Sequence, residues 1–332
     1  MENSTFRIDV HHHFMPDVFY DAQEETAALS AGGVPTAARW SPEQSLGKMD
    51  EFGIRAAILS CPSLNDIHRK FPHRTAGLAR SINEYAAELH ERFPSRFGSF
   101  AVLPLPLIDE SITELEYALD VLKLDGVGLA SNYDSLFLGN PELETVFQEL
   151  NKRKAVLFVH PSVPDSSFVR PKFIHIDSIL EFPTNTARAA LNLVYGGAME
   201  RFPDLEIILA HAGGTLPYLK FRIFEFQRKY THLDELFREE CVSVAWKSLK
   251  KSTTDYLAQF WYDNCTSTDP VVFEAIKNIT GDYRFVFGTD IMFAADFIRE
   301  DMINIIDNYG FTEEEKNNMN YGFAARLFPR FS

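Results

Sequence analysis

Residues 6–13 read FRIDVHHH, and how this run is understood decides the fold. Phe6, Ile8 and Val10 alternate with Arg7 and Asp9 as in a half-buried strand, so the three histidines close a strand and are not part of a flexible polar tag. Side chains of an extended chain alternate between faces. His11 and His13 therefore project to one side, about 6–7 Å apart along the backbone, and His12 to the other. Two imidazoles so placed can reach one ion. His12 should face the outer layer of the fold, and its replacement should leave bound metal largely unchanged.

Working outward, seven further runs have the apolar, β-branched and aromatic character of strands: RAAILSC (55–61), FGSFAVLP (97–104), DGVGLASN (125–132), AVLFVHP (155–161), LEIILAH (205–211), FWYDNCTS (260–267) and YRFVFGTD (283–290). Most are nearly continuously apolar, as strands buried on both faces of a parallel sheet must be. Helical periodicity fills the gaps, punctuated by Ser41 before Pro42, Asp269 before Pro270, and Gly126 as a stop after Leu124 and Asp125. Strict alternation of strand and helix through eight strands predicts an α/β protein, a (β/α)8 TIM barrel, with an open doubly wound sheet as the other architecture. Residues 299–309 and 312–328 are expected to supply the last outer helices. Long connections at 14–41, 162–185 and 222–258 all leave C-terminal strand ends, which form the active-site face of such a barrel.

The composition is that of a soluble globular chain: 332 residues, 45% hydrophobic, with no linker or low-complexity tract, which predicts a single domain over 1–332. No run of about 18 apolar residues occurs, and MENSTFRID lacks the regions of a secretory signal, so no membrane association is expected and a cytoplasmic location is. The net charge of −15 argues against a nucleic-acid partner. Cys61, Cys241 and Cys265 are odd in number and lack Cys-x-x-Cys spacing, which suits a reducing compartment and indicates neither a disulfide framework nor a thiolate zinc site.

The chemistry collects at strand ends. His160 closes VLFVH, His211 closes IILAH and Asp290 closes FGTD, so with His11 and His13 five ionisable side chains ring one mouth of a closed barrel. Imidazoles with one carboxylate suit a borderline divalent ion, zinc first and manganese second, leaving a position for substrate. His11, His13, His160 and Asp290 are the expected ligands, and His211 the acid/base beside them. The fourth strand, GVGLASNY, offers no bridging group, so one ion is expected.

IDVHHHF, LFVHP, ILAHAGGTLPYLKFRI and FGTD resemble the amidohydrolase superfamily, in particular the aminocarboxymuconate semialdehyde decarboxylase-like branch. The stretch ILEFPTNTARAALNLVYGGAMERFPDLEIILAHAGGTLPYL resembles more closely the 6-methylsalicylate and related hydroxybenzoate decarboxylases. The resemblance implies a distorted (β/α)8 barrel and a metal-dependent carboxy-lyase without an organic cofactor. It matches His11, His13, His160 and Asp290 to the family's ligands, His211 to its catalytic histidine, and Arg222 to an arginine that crosses a dimer interface to hold substrate. Ser45 stands where the dicarboxylate-specific relatives carry a second arginine, the natural fork for a second carboxylate. A monocarboxylic aromatic acid is therefore the expected substrate. Phe14, Phe182, Trp261 and Phe293 lie beside the motifs as candidate walls for its ring. The expected reaction is protonation at the carbon bearing the carboxylate, by Asp290 or His211, and then loss of carbon dioxide. The other readings are a metal-dependent hydrolase of a lactone, ester or amide, which the same five residues would serve, and a non-catalytic metal-binding protein.

Overall fold

A computed structural model describes residues 6–26, 39–164, 167–174, 176–230 and 249–332, with side chains in the helix ending at Tyr230 described as far as Glu225. Eight parallel strands run β1 (Arg7–His13), β2 (Ile54–Ser60), β3 (Phe97–Val102), β4 (Gly126–Ala130), β5 (Val156–His160), β6 (Glu206–Leu209), β7 (Trp261–Asp263) and β8 (Phe285–Val286), in sequence order around one sheet. The seam between last and first closes through Val10 N–H donating to Phe287 O at 2.9 Å, Asp290 N–H to His11 O at 2.8 Å, and a bridge between His12 and Ile291. Helices lie between the strands. The chain is a (β/α)8 barrel, as the alternation predicts.

Two apolar layers explain the strand sequences. One fills the barrel with Ile8, Val10, Ile58, Phe100, Phe158 and Ile208, while the other packs Ala57, Leu59, Leu157 and Leu209 against the helices, so every strand buries both faces. Helix Pro42–Glu51 starts on Ser41, whose hydroxyl accepts from Gln44 N–H, and helix Pro270–Thr280 starts on Asp269, which accepts from Val271 N–H.

Three expectations are corrected. Gly126 is not a helix stop but the first residue of β4, where a Cβ would run into the Val156 carbonyl. Residues 312–328 do not form an outer helix. Helices Glu313–Asn317, Asn318–Gly322 and Phe323–Leu327 lead beneath the barrel, where Ala324, Leu327, Phe328 and Phe331 join the interior layer and Phe328 packs edge-on to Phe100 at 5.7 Å. Trp261 belongs to this lower end, its indole N–H donating to Glu206 at the start of β6. Of the long connections, the first contains helix Asp17–Thr26, the second gives way to helix Asp177–Tyr195, and the third starts within helix Leu216–Tyr230 and contains helix Thr253–Leu257. Residues 27–38 and 231–248, with Cys241 among them, lie outside the described residues.

β1 departs from simple alternation. Asp9 pairs with Ala57 and His12 with Leu59, three residues against two, which is a bulge at Val10–His11. Val10 and His11 therefore both turn inward, and the alternation restarts with His12 outward and His13 inward.

The plug is expected to carry measurable stability. Phe328→Ala, which removes a ring 2% exposed, should lower unfolding free energy by about 3–5 kcal/mol, read as a lower urea midpoint; an unchanged midpoint would show that the plug is dispensable.

Candidate metal centre

The bulge and the strand ends bring His11, His13 and His160 together. Their ring centroids are 4.9–5.1 Å apart, and their ligand nitrogens lie within 4.8 Å of one another. Each Nδ1 is engaged away from the centre. His11 Nδ1 donates to Asp263 Oδ2 at 2.8 Å, His13 Nδ1 to the Ser60 carbonyl at 3.2 Å and His160 Nδ1 to the Pro161 carbonyl at 2.8 Å. The three Nε2 lone pairs are thereby left facing inward.

His11 Nε2 and His13 Nε2 stand only 3.1 Å apart, two acceptors that repel unless a cation or proton lies between them. Imidazole nitrogens sharing one tetrahedral ion would be about 3.3 Å apart. Asp290 Oδ1 adds a carboxylate oxygen 3.1 Å from His13 Nε2 and 3.6 Å from His11 Nε2, and this buried atom has no hydrogen-bond donor of its own. These donors fit a divalent ion.

The electrostatics favour the same occupant. Burial, reinforced by His13, His11 and His211, pushes His160 well below its ordinary pKa, and burial pushes His13 down as well. Burial works against ionisation of Asp290, but His11, His13 and His211 outweigh it and hold the carboxyl well below its usual range. Neutral imidazoles around an ionised carboxylate are the protonation states a metal ion needs. His11 differs: burial lowers it, but Asp263, Asp290 and Asp9 together leave it above its ordinary value. Those carboxylates favour a proton on the His11 ring, which a bound ion has to displace.

His211 stands beside the cluster, 5.0 Å from His11 and 5.6 Å from His160 between centroids, with Nε2 4.0 Å from Asp290 Oδ2. Its backbone N–H donates to Asp263 Oδ1 at 2.8 Å, and its Nδ1 is buried without a partner. From His211 to Gly214 four successive residues have positive φ (54°, 54°, 73° and 63°), and Asp290 has φ 53°, so both groups sit on strained backbone of the kind found at functional sites. At Gly214 a side chain would also strike the Pro183 carbonyl, which accepts from Thr215 N–H.

Of the proposed wall residues, Phe293 lies 4.9 Å from His13 and Phe182 6.1 Å from His160 between centroids. Phe14 is instead fully buried in the outer layer against Trp40, and Trp261 is at the far end of the barrel, because the chain after β1 and the start of β7 both turn those rings away from the mouth. Arg222 is exposed on helix Leu216–Tyr230. Ser45 is buried and hydrogen-bonded to His12 and Trp40, so it presents nothing to the mouth.

Three residues were missed. Asp263, fully buried, accepts from His11 Nδ1 and from the backbone of His211 and Cys265. Its place at the end of FWYD was a readable signal, a carboxylate at a C-terminal strand end. Cys265 lies with His11, His211 and Asp290 in a second group of converging ligand atoms, its thiol pushed well above its ordinary pKa by burial. Asp9 binds the backbone of His11 and Thr289, which only the closed seam reveals.

The model of the amidohydrolase family (Amidohydro_2) matches residues 8–330. The decarboxylase yanB of Aspergillus niger is 35% identical over 98% of this chain and 88% of its own length. A 6-methylsalicylic acid decarboxylase of Penicillium expansum is 31% identical over 98% of this chain and 96% of its own. In fold, the chain is similar to a crystal structure of 5-carboxyvanillate decarboxylase from Novosphingobium aromaticivorans, complexed with manganese, at a TM-score of 0.83 and 20% identity, covering 99% of this chain and 97% of that one.

With His11 as a ligand, the proton its neighbouring carboxylates favour competes with the ion, so ion affinity measured by chelator competition should fall by about tenfold per pH unit below the raised His11 pKa. A pH-independent affinity between about pH 8 and about pH 6 would remove His11 from the ligand set.

Proposed function

This chain belongs to the amidohydrolase family, and from that premise we propose that it is a metal-dependent, non-oxidative decarboxylase of a small aromatic acid of the hydroxybenzoate type, 6-methylsalicylate among the candidates. The observation that carries this reading is the convergence of His11, His13, His160 and Asp290 at the barrel mouth with His211 beside them. The hydrolase alternative would use the same residues. Decarboxylase chemistry is favoured because the relatives that share about a third of this chain's residues along nearly its whole length are decarboxylases.

His11, His13, His160 and Asp290 would hold one divalent ion. The nitrogen-rich donor set suits zinc, and manganese, present in the 5-carboxyvanillate decarboxylase, is the other candidate. When bound, the ion supplies positive charge that draws the substrate carboxylate and a neighbouring hydroxyl to the mouth.

The remaining work falls to the chain. Phe293 and Phe182 offer apolar faces beside the cluster, and Ser45 offers no partner for a second carboxylate. His211, held by Asp263 and set against Asp290, delivers a proton to the ring carbon bearing the carboxylate. Forming that C–H bond first avoids an aryl carbanion. The carbon–carbon bond then breaks, its electron pair returns to the ring, and carbon dioxide leaves.

Assembly and location follow as parts of the same reading. Val169, Phe173, Ile176, Ile179, Tyr218 and Phe221 are exposed on the segments after β5 and β6, an apolar surface that suits a homodimer with Arg222 at its contact. Among the described residues no helix is long and apolar enough to cross a membrane, and Cys61 and Cys265 are free thiols, which accords with a cytoplasmic enzyme.

Incubating the metal-loaded protein with a panel of hydroxybenzoates should release carbon dioxide from at least one; turnover of lactones or esters with no release from any acid would instead establish the hydrolase. His211→Ala should lower kcat by about 10²–10⁴-fold with metal content unchanged, and loss of the metal would make His211 a ligand. Arg222→Ala should weaken the dimer in gel filtration and lower activity; a fully active monomer would rule out a contribution across the interface.

A further inference from the structure

His12, the outward member of the triplet, is fully buried and lies in a directed chain of hydrogen bonds. Trp40 Nε1–H, which can only donate, gives its proton to Ser45 Oγ at 2.8 Å. The Ser45 hydroxyl finds its acceptor in His12 Nε2 at 2.9 Å, so the His12 proton sits on Nδ1, which donates to Asp9 Oδ2 at 3.0 Å. Asp9, also fully buried, collects three more donors: His11 N–H at 3.0 Å and Thr289 N–H at 3.1 Å on Oδ1, and the Thr289 hydroxyl at 2.5 Å on Oδ2.

The same carboxylate therefore grips the chain on both sides of the seam. His11 is a proposed ligand and Thr289 precedes another, Asp290, whose N–H donates to the His11 carbonyl at 2.8 Å. The Thr289 hydroxyl also accepts from Ile291 N–H at 3.3 Å, so the strained turn at Asp290 is held from both neighbours. A buried carboxylate stays in one place only while its donors do.

We propose that Asp9 and His12 form a positioning unit that sets the Asp290 carboxylate against His11 and His13, with Ser45 and Trp40 fixing the His12 tautomer. His12 touches neither ion nor substrate in this account; it acts through Asp9. The unit rests on the ligand set given above and revises the expectation that His12 can be exchanged without consequence for the metal.

The test measures Mn²⁺ affinity by chelator competition and the electron paramagnetic resonance spectrum of the bound ion, beside kcat and KM, in wild type and in His12→Phe, His12→Asn and Thr289→Val, with His160→Ala as the control for the ligand set. His12→Phe fills the same space without a donor, and its affinity should fall by about tenfold to a hundredfold with a changed Mn²⁺ spectrum. His12→Asn, whose amide N–H can take the place of Nδ1–H, should recover most of both. Thr289→Val, nearly isosteric, should weaken binding from the other side of the seam and serves alone if His12→Phe does not fold. Wild-type affinity and spectrum in both His12→Phe and Thr289→Val, or no recovery in His12→Asn, would overturn the positioning unit while a metal-free His160→Ala leaves the ligand set standing. If His160→Ala keeps the ion with wild-type affinity, the ligand set falls and the positioning unit falls with it.

Discussion

One extra residue in β1 governs the mouth of this barrel. Ile8 and Val10 point into the barrel interior, and strict alternation from them would have carried His12 inward and left His11 and His13 among the helices. The bulge between Asp9 and His12 reverses that assignment while keeping the strand in the sheet. A bulge leaves one residue unpaired and tightens the local twist. Here that cost falls where β1 must also close against β8, and the closing bonds involve Val10 and His11 themselves.

Around the inward pair the protein arranges acceptors and withholds donors. Asp263, the Ser60 carbonyl and the Pro161 carbonyl take up the Nδ1 protons, so three Nε2 lone pairs and a carboxylate oxygen meet in a buried space where only a positive charge satisfies all of them. Asp263 reaches further, since its other oxygen holds the backbone of His211 and Cys265. One buried carboxylate thus orients the His11 ring and the backbone that carries His211, the proposed ligand and the proposed acid/base. Asp9 does the corresponding work on the opposite side of His11.

Much of this was legible in the sequence because it depends on local period and on where strands end. The eight apolar runs, the capped starts at Ser41 and Asp269, and the ionisable residues at His160, His211 and Asp290 all follow from patterns a few residues long. The remainder depends on contacts between distant segments. That His11 and His13 share a face follows from their spacing, but the face they share is set by a register shift against β2. The C-terminal segment has an ordinary helical pattern, and only its contact with Phe100 shows that it plugs the barrel. Phe14 and Trp261 adjoin the motifs in sequence, yet the chain direction on either side of a strand carries each ring away from the mouth. Asp9 looked like one more polar residue on a strand until the seam brought Thr289 to it.

The account reduces to the claim that one ion is gripped by His11, His13, His160 and Asp290, leaving His211 free to move a proton. Anomalous diffraction from crystals of the metal-loaded protein, collected at the absorption edge of the bound ion, addresses this directly. The account predicts one peak within bonding distance of the Nε2 atoms of His11, His13 and His160 and of an Asp290 oxygen, with His211 unbound beside it. A peak coordinated by Cys265 and His211, the second group of converging ligand atoms, or two separate peaks, would contradict it.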